Sequence, residues 1–200
     1  MPALGDSPSL LAIVVPLKGF ATAKDRLSSA LTPEDRESHA QRLATRVLTV
    51  ACAIPHSVVI VVSDDDSLLE WSKAFGAIGV RQSRTGLNGA VSDAREEALR
   101  RGCEHVLITH GDLVDPTPLV DLCASLDRGS VTLVSDRHRD GTNVLALPAA
   151  IDFTTHYGKG SFRAHLDEAS RRGYTVHVVD DARLALDVDE PADLDLLTES

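Results

Sequence analysis

Long hydrophobic runs are missing from this chain. No apolar stretch approaches the roughly 20 residues needed to cross a bilayer, and residues 1–10 lack the basic start and long apolar centre of a secretion signal. A cytoplasmic protein with no membrane partner is expected. Basic charge is scarce as well: 20 Lys and Arg against 30 Asp and Glu leave a formal net charge of -10. Binding to nucleic acid or to an anionic membrane rests on an excess of Lys and Arg, so neither is expected as a partner. Any anionic ligand must find a local basic patch or a bound cation. The only cysteines, Cys52, Cys103 and Cys123, are odd in number, widely spaced and unaccompanied by histidines at metal-ligand spacing. That excludes a disulfide framework and a zinc site and points to buried free thiols. Two catalytic signatures are also absent: no G-x-x-x-x-G-K-[ST] phosphate loop and no G-x-S-x-G nucleophile elbow occur.

What is there is ordinary globular material, 43% hydrophobic and 25% charged over 200 residues. A chain of this length buries roughly 70% of its unfolded surface in one core, and with no linker, repeat or low-complexity segment, residues 1–200 read as one domain. Residues 11–17, 57–63, 105–109 and 130–135 are short β-branched apolar runs, as in strands covered on both faces. Thr32 and Pro33 signal a helix start, followed by Leu43, Val47 and Val50 at helical spacing. Residues 66–75 and 89–101 read as two more helices, ended by Gly76 and Gly102. The second half suggests a strand over 143–147, a helix over 161–172 closed by Gly173, and strands over 174–179 and 184–188. The β-α-β-α order predicts an α/β fold, a mostly parallel sheet between helical layers, with ligands at the carboxyl ends of the strands.

Three segments after strands could carry chemistry. Lys18, Lys24 and Arg26 share the loop after the first strand, with Gly19 and the small residues Ala21, Thr22 and Ala23 between them. Such a loop suits a triphosphate, the cations supplying charge and the small residues letting backbone N–H groups approach; a solvated basic turn is the plainer alternative. His110-Gly111-Asp112-Leu113 follows an apolar strand, which sets Asp112 at the sheet edge. Asp187 and Asp189 follow another apolar run and would share one side of a strand. Carboxylates are the hard ligands Mg2+ prefers; the alternative for Asp189, ahead of Pro191, is to cap a helix. Asp64 to Asp66 read as a turn and a cap, and Asp180 with Asp181 as a solvated turn.

Two glycine turns complete the set. Asp140-Gly141-Thr142-Asn143 precedes a strand, and Tyr157-Gly158-Lys159-Gly160-Ser161-Phe162 opens a helix whose free N–H groups and dipole could hold a phosphate or carboxylate. A plain helix capped by Ser161 is the alternative. Asn88, in Gly86-Leu87-Asn88-Gly89, could contact a base or ribose or cap its helix. The eight histidines, His110, His156 and His165 among them, form no evident ligand pair with a carboxylate in the sequence and read as surface or core residues.

In this order the segments resemble the guanylyltransferases of coenzyme F(420) biosynthesis, which act on phosphoenolpyruvate or 2-phospho-L-lactate. The resemblance rests on Val15-Pro16-Leu17-Lys18, Ala23-Lys24-Asp25-Arg26-Leu27, Leu87-Asn88-Gly89-Ala90, Gly111-Asp112-Leu113, the two glycine turns, and Asp187-Val188-Asp189-Glu190-Pro191-Ala192-Asp193-Leu194. Each is short; together they run along nearly the whole chain. The resemblance implies a Rossmann-like three-layer α/β/α sandwich of the nucleotide-diphospho-sugar transferase type. It also implies that Lys18, Lys24, Arg26 and Asn88 hold GTP, with Lys18, Lys24 and Asp112 catalytic. Thr142, Gly158 and Ser161 would hold the phosphorylated acid, and Asp112 with Asp189 or Asp187 would bind Mg2+. The partners implied are GTP, the acid and the downstream enzyme that consumes an unstable product, and a homodimer is compatible with this reading. Val114, Glu190 and His110 depart from the residues common at those places in the family and bear on which acid is used. The acid 3-phospho-D-glycerate, a molybdenum-cofactor guanylyltransferase, and a silent nucleotide-binding subunit stand as alternatives. Against the second, Val14-Val15-Pro16-Leu17-Lys18 replaces the glycine-rich loop usual in molybdenum-cofactor enzymes.

Overall fold

The computed structural model describes residues 10–20 and 25–188. Seven strands and five helices alternate along most of the chain: β1 (Leu11–Pro16), α1 (Pro33–Cys52), β2 (Ser57–Ser63), α2 (Asp66–Ser72), β3 (Ile78–Arg81), α3 (Gly86–Arg100) and β4 (His105–Thr109). They continue with α4 (Leu119–Ser125), β5 (Val131–Ser135), β6 (Thr142–Pro148), α5 (Ser161–Arg171) and β7 (Val176–Val178). The strands form one sheet in the order β3-β2-β1-β4-β6-β5-β7, in which β6 alone runs antiparallel to its neighbours.

Layering follows from side-chain alternation on strands that are apolar on both faces. Ile13, Val15, Val59, Val61 and Leu107 point to one side and pack with Val47 and Leu48 of α1, Leu68 and Leu69 of α2, and Leu119 and Leu122 of α4. Ala12, Val14, Ile60, Val62, Val106 and Ile108 point to the other and pack with Ala90, Val91, Ala94 and Ala98 of α3 and Phe162 and Ala169 of α5. The small residues of α3 let it lie close on the sheet. The result is the three-layer sandwich that the β-α-β-α order anticipates. Burying each large aliphatic side chain in this way stabilises by about 1.5–3 kcal/mol.

Several boundaries differ from the sequence reading. The 66–75 helix ends as α at Ser72 and tightens to a 3-10 turn over Lys73–Phe75, with Gly76 in the left-handed region at φ 86. Asp65 caps α2, accepting from Ser67 N and Leu68 N, as read. β3 is a four-residue edge strand containing a glycine, and α4 is a seven-residue helix without a side-chain cap, so neither presents a strong local pattern. Residues 184–188 do not form a strand; they approach the sheet edge through a single bridge between Leu113 and Asp187. The alternation argument that paired Asp187 with Asp189 therefore does not apply.

One helix start is fixed by close packing. Asp93 of α3 is buried and accepts from Ser83 N (2.6 Å), Ser83 Oγ (2.8 Å), Arg84 N (3.0 Å) and Arg84 Nη1 (2.7 Å). Its burial raises the carboxyl pKa, but these donors outweigh that and hold it below the usual carboxylate range. The anchored Arg84 backbone presses on Gly89, where a Cβ would lie 2.7 Å from the Arg84 carbonyl carbon. Gly89→Ala is therefore expected to destabilise by about 1–3 kcal/mol through overpacking. An unhindered Gly→Ala change inside a helix would instead stabilise by about 1 kcal/mol. Urea denaturation decides between the two signs.

Candidate functional site

The sheet order reverses between β1 and β4: the chain builds outward through β2 and β3, then crosses by α3 to start again on the other side of β1. Ligands of open α/β sheets bind where the order reverses, outside the carboxyl ends of the strands. Two loops meet there. Leu17, exposed Lys18 and Gly19 leave β1, and His110, Gly111 and Asp112 leave β4. Gly111 lets them touch, because a Cβ at this position would run into Leu17 Cδ2.

At the end of β4, His110, Asp112 and Asp187 each offer a ligand atom, and these atoms all lie within 4.8 Å of one another. His110 Nδ1 stands 3.9 Å from Asp112 Oδ1. The bridge between Leu113 and Asp187, reinforced by Val114 N donating to Leu186 O at 3.1 Å, brings the last carboxylate in. Two oxygens and a nitrogen about 2.0–2.2 Å from one ion would sit up to roughly 4 Å apart, so this spread fits a single divalent cation after slight closure. The pairing of His110 with Asp112 corrects the reading of the histidines as unconnected to carboxylates. The signal in the sequence was H-x-D directly after an apolar strand.

Because β6 is antiparallel to β4, its first residues share this edge. Its register against β5 shifts between Val134 and Ser135, which face Val144 and Thr142 and leave Asn143 as the bulged residue. A bulge breaks the alternation of side chains. Asn143 consequently joins Val144 on the α1 side and donates from Nδ2 to Leu184 O (3.1 Å) and Asp187 Oδ1 (3.4 Å). Thr142 turns to the opposite side, toward α5, where its Oγ1 lies 3.0 Å from His165 Nδ1 and 3.3 Å from Ser161 Oγ.

The glycine turn before α5 is tied down from two directions. Asn88 accepts from Tyr157 N at 2.7 Å and donates to Tyr157 O at 3.0 Å, so both ends of its amide are engaged, and it does not cap α3. His165, completely buried, accepts at Nε2 from His156 N at 2.8 Å. Gly158 and Gly160 adopt φ of 135 and 74, which L side chains rarely do. The left-handed Gly160, not Ser161, is the N-cap, and Ser161 turns inward as the first helical residue. The expectation of free amides here needs correcting. Gly160 N donates to Asp140 Oδ2 (3.2 Å), Ser161 N to Gly158 O (3.1 Å) and Phe162 N to Asp140 O (3.0 Å). Asp140 of the preceding turn takes up two of these amides and Gly158 the third, which leaves the helix dipole and the linked hydroxyls of Ser161 and Thr142, Ser161 Oγ donating to Thr142 Oγ1, as the features of this turn that suit an anion.

Of the residues singled out in the sequence, Asp112 and Asp187 come together, as do Thr142, Gly158 and Ser161, while Lys18 is exposed on the loop after β1, next to the Leu17 that meets Gly111. Lys24, Asp189 and the side chain of Arg26 lie outside the described residues. No described helix is long and apolar enough to cross a membrane.

Comparison with known proteins bears on family and fold. The profile of the family described as "Guanylyl transferase CofC like" matches residues 11–198. The chain belongs to this family. It is 37% identical to a phosphoenolpyruvate guanylyltransferase of Sphaerobacter thermophilus over 92% of this chain and 90% of that one. It is 32% identical to a 2-phospho-L-lactate guanylyltransferase of Methanothermobacter thermautotrophicus over 90% of this chain and 81% of that one. In fold it matches a solved protein of Desulfovibrio desulfuricans described as a nucleotide-diphospho-sugar transferase, with a TM-score of 0.77 at 17% identity over 94% and 86% of the two chains. A nucleotidyl transferase of Methanothermobacter matches with a TM-score of 0.65 at 15% identity over 96% and 97%. The protein is thus a nucleotidyltransferase of the CofC-like family with the nucleotide-diphospho-sugar transferase fold.

Burial pushes the His165 pKa down to about 4, and burial likewise lowers that of His105. Both rings are neutral in the folded protein, whereas the unfolded chain takes up a proton near pH 6.5. Their contribution to stability is therefore complete above about pH 6.5 and declines as pH falls toward about 4. Glu168 and Asp93, depressed carboxylates, add their own loss only below about pH 4. Unfolding free energy measured in urea should fall between pH 6.5 and 4, and His165→Gln should flatten that slope; an unchanged slope would remove His165 as its source.

Proposed function

We propose that this enzyme transfers the GMP unit of GTP to phosphoenolpyruvate with release of pyrophosphate, in coenzyme F(420) biosynthesis. The observation that carries this reading is the cluster of His110, Asp112 and Asp187 at the end of β4, directly across the reversal point from the Lys18 loop. The named activities of the two 37% identical relatives, from Sphaerobacter thermophilus and Rubrobacter xylanophilus, favour phosphoenolpyruvate as the acid. The 2-phospho-L-lactate activity named for the 32% identical relative makes that acid the second reading.

In this mechanism a phosphate oxygen of the acid forms a new bond to the α-phosphorus of GTP as the bond from that phosphorus to the β-bridging oxygen breaks. Pyrophosphate leaves with the electron pair. The attacking oxygen is already anionic near neutral pH, so no side-chain base or covalent intermediate is needed, and the protein's work is alignment and neutralisation of charge. Mg2+, when bound, neutralises phosphate charge and polarises the reacting phosphoryl group. Asp112 and Asp187, with His110 and Asp189, are assigned to hold it. Lys18, Lys24 and Arg26 are assigned to the GTP phosphates. Asn88 is assigned to the nucleotide; one N–H and one lone pair of its amide hold the Tyr157 backbone, and the second of each is left for a ligand. Thr142, Gly158 and Ser161 are assigned to the acid. The product joins two phosphates on a reactive acid and is passed to the next enzyme of the pathway.

Pyrophosphate release from GTP and Mg2+ with each acid supplied separately tests the reading: release with phosphoenolpyruvate is expected, and release with no acid would overturn it. Asp112→Asn should lower turnover by at least about 100-fold, the order seen when one preorganised charge-stabilising group is lost, with the melting temperature nearly unchanged. Ser161→Ala should raise KM for the acid about tenfold, as for one lost hydrogen bond, and leave KM for GTP alone. Equal weakening of both substrates would count against the assignment.

A further inference from the structure

His165 joins the two segments assigned to the acid, although it belongs to neither. Its ring is fully buried, packed edge-on against Tyr157 with centroids 5.0 Å apart and near Phe153 at 6.0 Å. Both nitrogens are engaged: Nε2 with the backbone N–H of His156, which precedes the glycine turn, and Nδ1 with the hydroxyl of Thr142 at the start of β6. A backbone N–H can only donate, so Nε2 must be the unprotonated nitrogen. In a neutral imidazole the proton then sits on Nδ1 and is donated to Thr142 Oγ1. Ser161 Oγ, 3.3 Å away, donates to the same oxygen. Thr142 Oγ1 thus has both lone pairs occupied, and its own hydroxyl proton is left to point at a further acceptor. With the amides of Gly160, Ser161 and Phe162 turned to protein acceptors, that proton is a donor this end of the site can offer to an anion. Thr142 is 1% exposed, so a ligand oxygen meeting it would be shielded from water, where such a bond is strongest.

We propose that His165 is a positioning residue for the acid substrate: by accepting from His156 N and donating to Thr142, it fixes the distance between β6 and the glycine turn and aims the Thr142 hydroxyl proton at the acid. The proposal rests on the assignment of Thr142 and Ser161 to the acid. His165 itself touches no reacting atom.

Three variants and one spectrum of the wild-type enzyme test it. Gln at 165 places its amide where Nε2 stands and can still accept from His156 N, but it loses the bond to Thr142; Asn places its amide where Nδ1 stands and keeps that bond. His165→Gln should raise KM for phosphoenolpyruvate about tenfold, as for one lost hydrogen bond. kcat and KM for GTP should stay within about twofold. His165→Asn should recover most of the acid KM. A role confined to general packing would move both variants alike and both substrates together, and that result would overturn the proposal. Thr142→Val separates the two layers of argument. If it leaves the acid KM unchanged, the acid-site assignment fails and the proposal with it. If it raises the acid KM while His165→Gln does not, the positioning role alone fails. Should the His165 variants not fold, long-range 1H–15N NMR of the labelled wild-type protein at neutral pH still decides. The Nδ1–H tautomer is expected, with its 15N shift moving on addition of phosphoenolpyruvate; an Nε2–H tautomer, or shifts unmoved by the acid, would overturn it.

Discussion

The pairing of β1 with β4 is the constraint on which the site depends. β1 pairs in parallel with β2 on one side and with β4 on the other, and the crossover through α3 returns the chain to that opposite side of β1. Parallel strands start and finish at the same edges, so the loops after β1 and β4 are forced side by side, one carrying Lys18 and the other His110 and Asp112. Gly111 leaves room for that contact, since a Cβ there would displace the tip of the Leu17 side chain. A chain of net charge -10 can gather carboxylates at this edge because the edge also receives a lysine loop and suits a divalent cation.

The antiparallel strand β6 supplies the second half of the arrangement. Reversing one strand in an otherwise parallel sheet brings its first residues, and not its last, to the working edge. The bulge at Asn143 then divides two consecutive side chains between the two faces. Asn143 braces the Asp187 segment on one face, and Thr142 meets Ser161 and His165 on the other. The candidate metal cluster and the proposed acid site are therefore neighbours because adjacent residues of one strand, Asn143 and Thr142, support them from its two faces.

The architecture was legible where the local signal was strong. Residues 57–63 and 105–109 form strands at the bounds read from their β-branched runs, because strands covered on both faces must be apolar throughout. β3 and α4 escaped because they are short and gain their order from packing against α2 and the sheet. The 184–188 segment failed as a strand for the converse reason: it is apolar enough, but it pairs with its neighbour through a single β-bridge, Leu113 with Asp187, and not through a ladder.

By itself the sequence determined the layered α/β class, the position of ligand-binding loops at strand ends, and family membership, since these follow from the order and spacing of apolar runs and short motifs. It also marked Asp112, Asp187, Thr142, Gly158 and Ser161. Tertiary structure alone decided that His110 stands with two carboxylates 75 residues apart in the chain, that Asn88 holds the Tyr157 backbone, and that His165 reaches Thr142. Those relations depend on strand order, on a register shift of one residue and on which ring nitrogen meets a backbone donor, and a linear pattern encodes none of the three.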